Sequence, residues 1–261
     1  MSIAKQFEQS MNRSRGLSQK MDRTGLSLAV VTNINDDEKL NRVKCVLLDN
    51  EEKSEETDWC YVMSSMGGNQ HGTFFFPNVN DLVVVGFLGG DPHRPIVLGA
   101  YWDNKVKPPY PIENGKVHNY SIKTPSGTEL LLYDEPNKQK VTLTLPSGTV
   151  LCIDDEAKSV TLSDKNKDNS LVMDLQKGEV ALNAKTKLTL AAGQTTIVLE
   201  SSGNITEKAN SKIAIQAATI EGKANAQLTL QGATTEVKAN AQLTLQASGP
   251  TNVKGAIVKI N

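Results

Sequence analysis

The sequence predicts an all-β protein in two unequal parts: a small closed barrel or sandwich, then a long rod of short strands that one copy cannot stabilise alone. Three observations lead there. Apolar and polar residues alternate with period two through most of the 261 residues, which is the periodicity of a strand. Clusters of Gly, Pro, Asn and Asp interrupt the alternation at strand-length intervals. The aromatic residues stop early, with no Phe, Trp or Tyr beyond Tyr133.

Residues 1–25 are polar and mildly basic, with Lys5, Arg13, Arg15, Lys20 and Arg23. They read as an arm or short helix that needs a partner to order it. Across 26–104 the apolar runs LSLAVV, RVKCVLL, WCYVM, TFFF, LVVVGF and PIVLGAYW are separated by NINDD, DNEEKSEETD, SSMGGNQHG, PNVND and GGDPHRP. Short strands at this spacing suggest the barrel or sandwich. Both tryptophans and every phenylalanine except Phe7 lie here, so this is where a compact core is expected.

The link KVKPPYPIENGK, residues 105–116, carries three prolines within seven residues. Proline fixes φ and favours an extended, semi-rigid connection, so a domain boundary is placed there. From 117 to 261 the segments TELLLYD, KVTLTL, TVLCIDD, SVTLSD, EVALNAKTKLTLA, TTIVLE, KIAIQA and AQLTL all alternate. TPSGTELLLYD at 124–134 echoes LPSGTVLCIDD at 145–155, and KANAQLTL occurs at Lys223 and again at Lys238.

Each of these strands has one apolar face of Leu, Ile, Val and Ala. A thin ribbon in water is marginal, because fixing each residue's backbone costs about 1–2 kcal/mol while burying one Leu or Val returns roughly 1.5–3 kcal/mol. Small aliphatic side chains fit a narrow interior better than the inner faces of a sandwich about 10 Å thick. Three identical chains wound about one axis, or successive coils of a single-chain solenoid, both satisfy the pattern. The irregular repeats favour the intertwined trimer, with Leu228, Leu230, Val237, Leu243 and Leu245 as its core positions.

Other functional classes find little support. With 28 basic and 29 acidic residues the net charge is −1, so no excess positive charge draws nucleic acid or anionic membrane. Phe74, Phe75 and Phe76 could stack bases, but the basic groove that single strands require is missing from their surroundings. The opening MSIAKQFEQSMNRSRG lacks a signal-type apolar run and no stretch of about twenty apolar residues occurs, so the expectation is a chain made and folded in a cytoplasm. Cys45, Cys60 and Cys152 sit inside alternating segments and read as small buried hydrophobes. His71, His93 and His118 form no metal or triad pattern, and neither metal nor cofactor is expected. Asp154, Asp155 and Glu156 follow a strand and read as a turn rather than a glycosidase pair. Gly89-Gly90-Asp91-Pro92 reads as a turn between strands.

The run DWCYVMSSMGGNQHGTFFFPNVNDLVVVGFLGGDPHRPIVLGAYWD, residues 58–103, closely resembles the OB-fold domain of phage baseplate spike proteins. These include baseplate assembly protein V and the corresponding part of type VI secretion VgrG proteins. The matching positions are Asp58-Trp59, the glycine loop before Gly72, Pro77 with Asp81, Val83 to Phe87, and Gly90-Asp91-Pro92 with Pro95 before Gly99. TPSGTELLLYDEP and LPSGTVLCIDDE look like the start of that family's β-helical needle. The resemblance implies an OB-fold barrel followed by an intertwined triple-stranded β-helix, a β-prism, in a homotrimer. It implies a non-enzymatic central spike of a contractile phage tail or related injection system, assembled into the particle and driven into the target envelope. No lysozyme domain separates barrel from needle, and only residues 1–25 precede the barrel, so a separate hub protein contacted by that arm is implied. The last histidine is His118, which leaves no histidine for an iron-bearing tip. Hence the end around Val253, Ile257, Val258 and Ile260 is expected to be blunt and to carry a PAAR-type tip protein, and an effector can ride on it. The rival reading is a cell-wall or polysaccharide hydrolase on a β-solenoid scaffold.

Overall fold

A computed structural model describes residues 25–48 and 56–260; apart from Gly25, the N-terminal arm lies outside them. The described residues contain strands but no α-helix. The chain divides at Lys185/Thr186 into two compact units, a boundary that falls within the stretch read from sequence as one needle.

The first unit begins with a five-stranded barrel. Its strands are β1 (Leu26–Asn33), β2 (Lys44–Leu47), β3 (Tyr61–Val62), β6 (Leu82–Phe87) and β7 (Pro95–Ala100), and a small ribbon of β4 (Gly67–Gly68) and β5 (His71–Gly72) lies between β3 and β6 in sequence. The sheet order is β2-β1-β6-β7-β3. β3 runs parallel to β7, and the bridge from Val43 to Cys60 ties the segment before β3 back to the chain entering β2. That bridge closes the sheet on itself and removes two free edges. Alternate residues point inward: Ala29, Val31, Val43, Cys45, Cys60, Val83, Val85 and Val97 form the buried cluster. These are small and mostly β-branched, which suits a narrow interior. The aromatic residues expected to build the core stand at its margin instead. Phe76 and Phe87 pack partly against it, whereas Phe74, Phe75 and Trp102 are exposed. Five short strands enclose too little space for rings of that size.

The loop between β1 and β2 is held by a buried carboxylate. Asp36 accepts from Arg42 Nε at 2.9 Å and Nη2 at 2.8 Å, and from the backbone N–H groups of Glu38 at 3.2 Å and Leu40 at 3.1 Å. Two-pronged pairing of this kind matches the guanidinium fork. Hydrogen bonding to Arg42, ahead of the backbone donors, holds the Asp36 carboxyl well below the usual carboxylate range.

After the link, seven antiparallel strands follow as a meander: β8 (Asn119–Lys123), β9 (Glu129–Tyr133), β10 (Lys140–Thr144), β11 (Val150–Asp154), β12 (Ser159–Ser163), β13 (Ser170–Asp174) and β14 (Glu179–Asn183). Each pairs only with its neighbours in sequence. The PSG echo is one turn used twice. Thr124 N–H donates to Thr128 O, and Gly127 N–H to Thr124 O, both at 2.9 Å. Leu145 N–H donates to Thr149 O at 2.9 Å, and Gly148 N–H to Leu145 O at 2.8 Å. Gly127 and Gly148 take φ of 95° and 88°, which a side chain would strain.

The second unit holds a three-stranded sheet, β15 (Lys187–Ala192), β16 (Thr195–Glu200) and β17 (Ile205–Lys208), in that order. The alternating segments KIAIQA and AQLTL were expected to be strands. Among the described residues from 209 to 260 no strand is assigned and no backbone–backbone hydrogen bond is made. Alternation prepares a strand, but a strand exists only where a second backbone accepts its hydrogen bonds.

Replacing Asp36 with Asn should lower the thermal midpoint of the barrel by several degrees at pH 7. Because the folded carboxyl titrates below its unfolded value, the stabilisation is present above about pH 4 and fades as pH falls through the folded value. The difference between variant and wild type should therefore shrink in melts recorded from pH 5 down to pH 2.

Candidate assembly surface

The register of the meander places its apolar side chains in two straight rows on one face. Ile122, Leu130, Leu143, Leu151, Leu162, Leu171 and Leu182 stand side by side in one row. Tyr120, Leu132, Val141, Ile153, Val160, Met173 and Val180 form the other. Within one chain nothing covers them: apart from Val160, they are 37% to 66% exposed. A recess of about 330 Å³ opens among Tyr120, Leu132, Val141 and Ile153. Monomers rarely present so long an apolar band to water, and covering these two rows is worth on the order of 10 kcal/mol per chain.

The opposite face of the same strands is polar and internally paired. Lys140 Nζ lies 2.7 Å from Asp154 across the β10–β11 pair, and Lys123 Nζ lies 3.4 Å from Glu129 across β8–β9. Tyr133 donates to Glu135, and Tyr110 donates to Glu129 Oε1 at 2.8 Å. Directly opposed unlike charges support the sheet by a few tenths of a kcal/mol to about 1 kcal/mol each. The charged pairs thus stand on one face, which also carries Leu131, Cys152 and Val172, and the two apolar rows stand on the other.

Among the described residues from 209 to 260, the lack of partners extends to the backbone. The needle-core positions Leu228, Leu230, Val237, Leu243 and Leu245 are all more than half exposed. So are Val253, Ile257, Val258 and Ile260 at the C-terminal end, with Ile260 at 91%. One chain therefore gathers none of these residues into a core.

The residues that carry the sequence resemblance hold turns and strand junctions. Trp59 lies under two cations, with Arg42 at 5.7 Å and Lys44 at 5.4 Å from its ring centre. Pro77 opens the turn in which Asn78 N–H donates to the Asp81 carboxylate at 2.7 Å, and Val31 N–H donates to Asp81 O at 3.0 Å, fastening that turn to β1. Gly90 takes φ of 77° in the β6–β7 turn, where Arg94 N–H donates to Asp91 O at 3.0 Å; Pro92 lies inside it and Pro95 opens β7 opposite Phe87. Gly99 sits opposite Val84 beside the bulge between these strands.

Groups weighed as chemical candidates have structural partners. Asp154 and Asp155 are paired with Lys140 and Lys158, at 2.7 Å and 2.8 Å, and Asp154 also accepts from Ala157 N–H. His93 Nδ1 lies 2.7 Å from Asp58 on an exposed edge, and that carboxylate raises the imidazole above its ordinary value. His118 Nδ1 lies 3.2 Å from Asp134 O, and His71 Nδ1 lies 3.2 Å from Asn69 O. Cys45 and Cys60 are buried in the barrel core, where hydrogen bonding to Cys60 and then burial push the Cys45 thiol up. Cys152 departs from expectation: it lies half-buried on the polar face of the meander, 3.8 Å from Thr142 Oγ1. Sequence reading missed the Asp36–Arg42 clamp, although the turn cluster NINDD marked its place.

Comparison with known proteins places the barrel. The family model described as the type VI secretion system/phage-baseplate injector OB domain matches residues 27–102. The type VI secretion system spike protein VgrG5 of Pseudomonas aeruginosa is 36% identical over 61 residues, covering 23% of this chain and 8% of the relative. The actin cross-linking toxin VgrG1 of Vibrio cholerae is 32% identical over 94 residues, covering 34% and 9%. The spike protein VgrG3 of Vibrio cholerae is 34% identical over 58 residues, covering 22% and 6%. The chain thus spans less than a tenth of the length of these curated relatives. Within those bounds, residues 27–102 match the injector OB domain, and in that part the chain is similar to VgrG spike proteins.

Proposed function

We propose that the chain is the structural central spike of a contractile phage tail or phage-tail-like injection system, working as a homotrimer and not as an enzyme. The observations that carry this reading are the paired apolar rows of β8–β14 and, among the described residues, the lack of any backbone–backbone hydrogen bond from 209 to 260. Two further copies supply both missing elements at once. Three sheets with their apolar faces turned to a common axis make a dry interior of aliphatic side chains. Residues 117–261 then form the triple-stranded β-helix, and the barrels make a collar above it.

The VgrG relatives support the placement in a baseplate or type VI spike. On this reading residues 1–25 contact a separate hub protein, and the chain is made in the cytoplasm and assembled into the particle. The trimer is pushed through the target envelope when the machine contracts. The exposed Val253, Ile257, Val258 and Ile260 form the blunt end that seats a PAAR-type tip protein and, through it, any effector. Function is stiffness: axial load is shared among many inter-copy hydrogen bonds and aliphatic contacts, so no single bond carries it.

Light scattering on the purified chain should give three times the 28.3 kDa of one copy; a monodisperse folded monomer refutes the assembly. Leu230→Asp with Leu245→Asp should abolish trimers that resist SDS and heat, while the barrel still melts cooperatively. Persistence of those trimers would remove the two leucines from the needle core. Val258→Asp with Ile260→Asp should leave the trimer intact but lower retention of a co-expressed PAAR-type protein at least tenfold in pull-downs.

A further inference from the structure

The segment without backbone partners is built from one unit used three times. Lys-Ala-Asn begins at Lys208, Lys223 and Lys238, and each is followed at fixed offsets by an apolar pair and a glutamine: Ile213 and Ile215, Leu228 and Leu230, Leu243 and Leu245. The likeness extends to conformation. Gln227 Nε2 donates to Thr229 Oγ1 at 3.1 Å, and Gln242 Nε2 donates to Thr244 Oγ1 at 3.2 Å, the same bond fifteen residues on. The second apolar residue of each pair is the more exposed in all three units, at 71%, 76% and 79%.

Equivalence has a consequence for any pairing between copies. In a strand, a slip of one residue turns every side chain to the opposite face, so most shifts of one copy against another set leucine against polar residues. A shift of fifteen does not, because each unit meets the next with the same residues in the same places. Such a slip loses contacts only at the ends. Register must therefore be set outside the repeats. Upstream stands β15–β17, whose strands are hydrogen-bonded within the chain, from Leu188↔Leu199 to Leu199↔Ile205. Downstream, Val253 to Ile260 no longer follows the pattern.

Resting on the trimeric reading, we infer that the fifteen-residue unit is an interchangeable length module of the pairing between copies, its register set by the chain outside the repeats. The length of the terminal needle is then changed in whole units without changing its cross-section, and any other change breaks it.

Two deletions in the full chain test this. Removing Lys223–Val237 takes out one whole unit and joins Gly222 to Lys238; removing Lys223–Thr229 takes out fewer residues and only one of the leucines, but leaves the unit out of phase. If contacts merely add up, the shorter deletion is the milder. The inference predicts the reverse. The whole-unit deletion should keep SDS-resistant trimers with a melting midpoint within a few degrees of wild type, and the seven-residue deletion should lose at least nine-tenths of them. If damage instead grows with the number of residues removed, or if the whole-unit deletion also abolishes trimers, the module is refuted while the trimer stands. If the undeleted chain is itself monomeric, the assembly reading falls first.

Discussion

A backbone amide withdrawn from water has to meet an acceptor, and this chain meets that demand to three different degrees. In the barrel the sheet closes on itself through the Val43–Cys60 bridge, so hydrogen bonds and side chains are satisfied together. In the meander the hydrogen bonds are complete between neighbouring strands, yet the two apolar rows have nothing against them. Among the described residues from 210 to 260, the chain provides neither backbone partners nor cover.

Those three degrees give an order in which the parts acquire structure. The barrel and the meander have local contacts, and neighbouring strands joined by tight turns form early because little chain entropy is lost in closing them. In the proposed trimer the repeats gain their hydrogen bonds from other copies, so their ordering is coupled to assembly and depends on concentration. A folded upstream portion that brings three copies together raises the effective concentration of the trailing segments. The division of labour also suits mechanics. A rod whose every strand bonds to its neighbours distributes an axial force, whereas a rod held by a few strong contacts fails at the weakest.

Polar groups are spent mainly on definition. The Asp36 carboxylate, with its five hydrogen bonds from Arg42, Glu38 and Leu40, shapes a loop that lacks secondary structure of its own. On the meander, lysine–carboxylate pairs such as Lys140–Asp154 sit on the face turned away from the aliphatic rows. Surface pairs add little stability. Their value lies in assigning an outside, since a polar, charge-paired face discourages the sheets from stacking the wrong way round and leaves one productive arrangement.

Much of this was legible in the residues alone. Period-two alternation announced the strands as far as Lys208, and the PSG and KANAQLTL echoes announced a repeated turn and a repeated unit. Periodicity is local, so sequence reveals it directly. What folding alone decided was which strands find partners within the chain. Alternation is the same in KVTLTL and AQLTL, yet the first is bonded on both sides and the second on neither. The size of the barrel's interior was likewise hidden: the count of Phe and Trp suggested an aromatic core, but closure after five short strands left room for valine, alanine and cysteine. Composition says which residues want burial. Only the closure of the sheet says how much space there is, and only the register says whose backbone supplies the bonds.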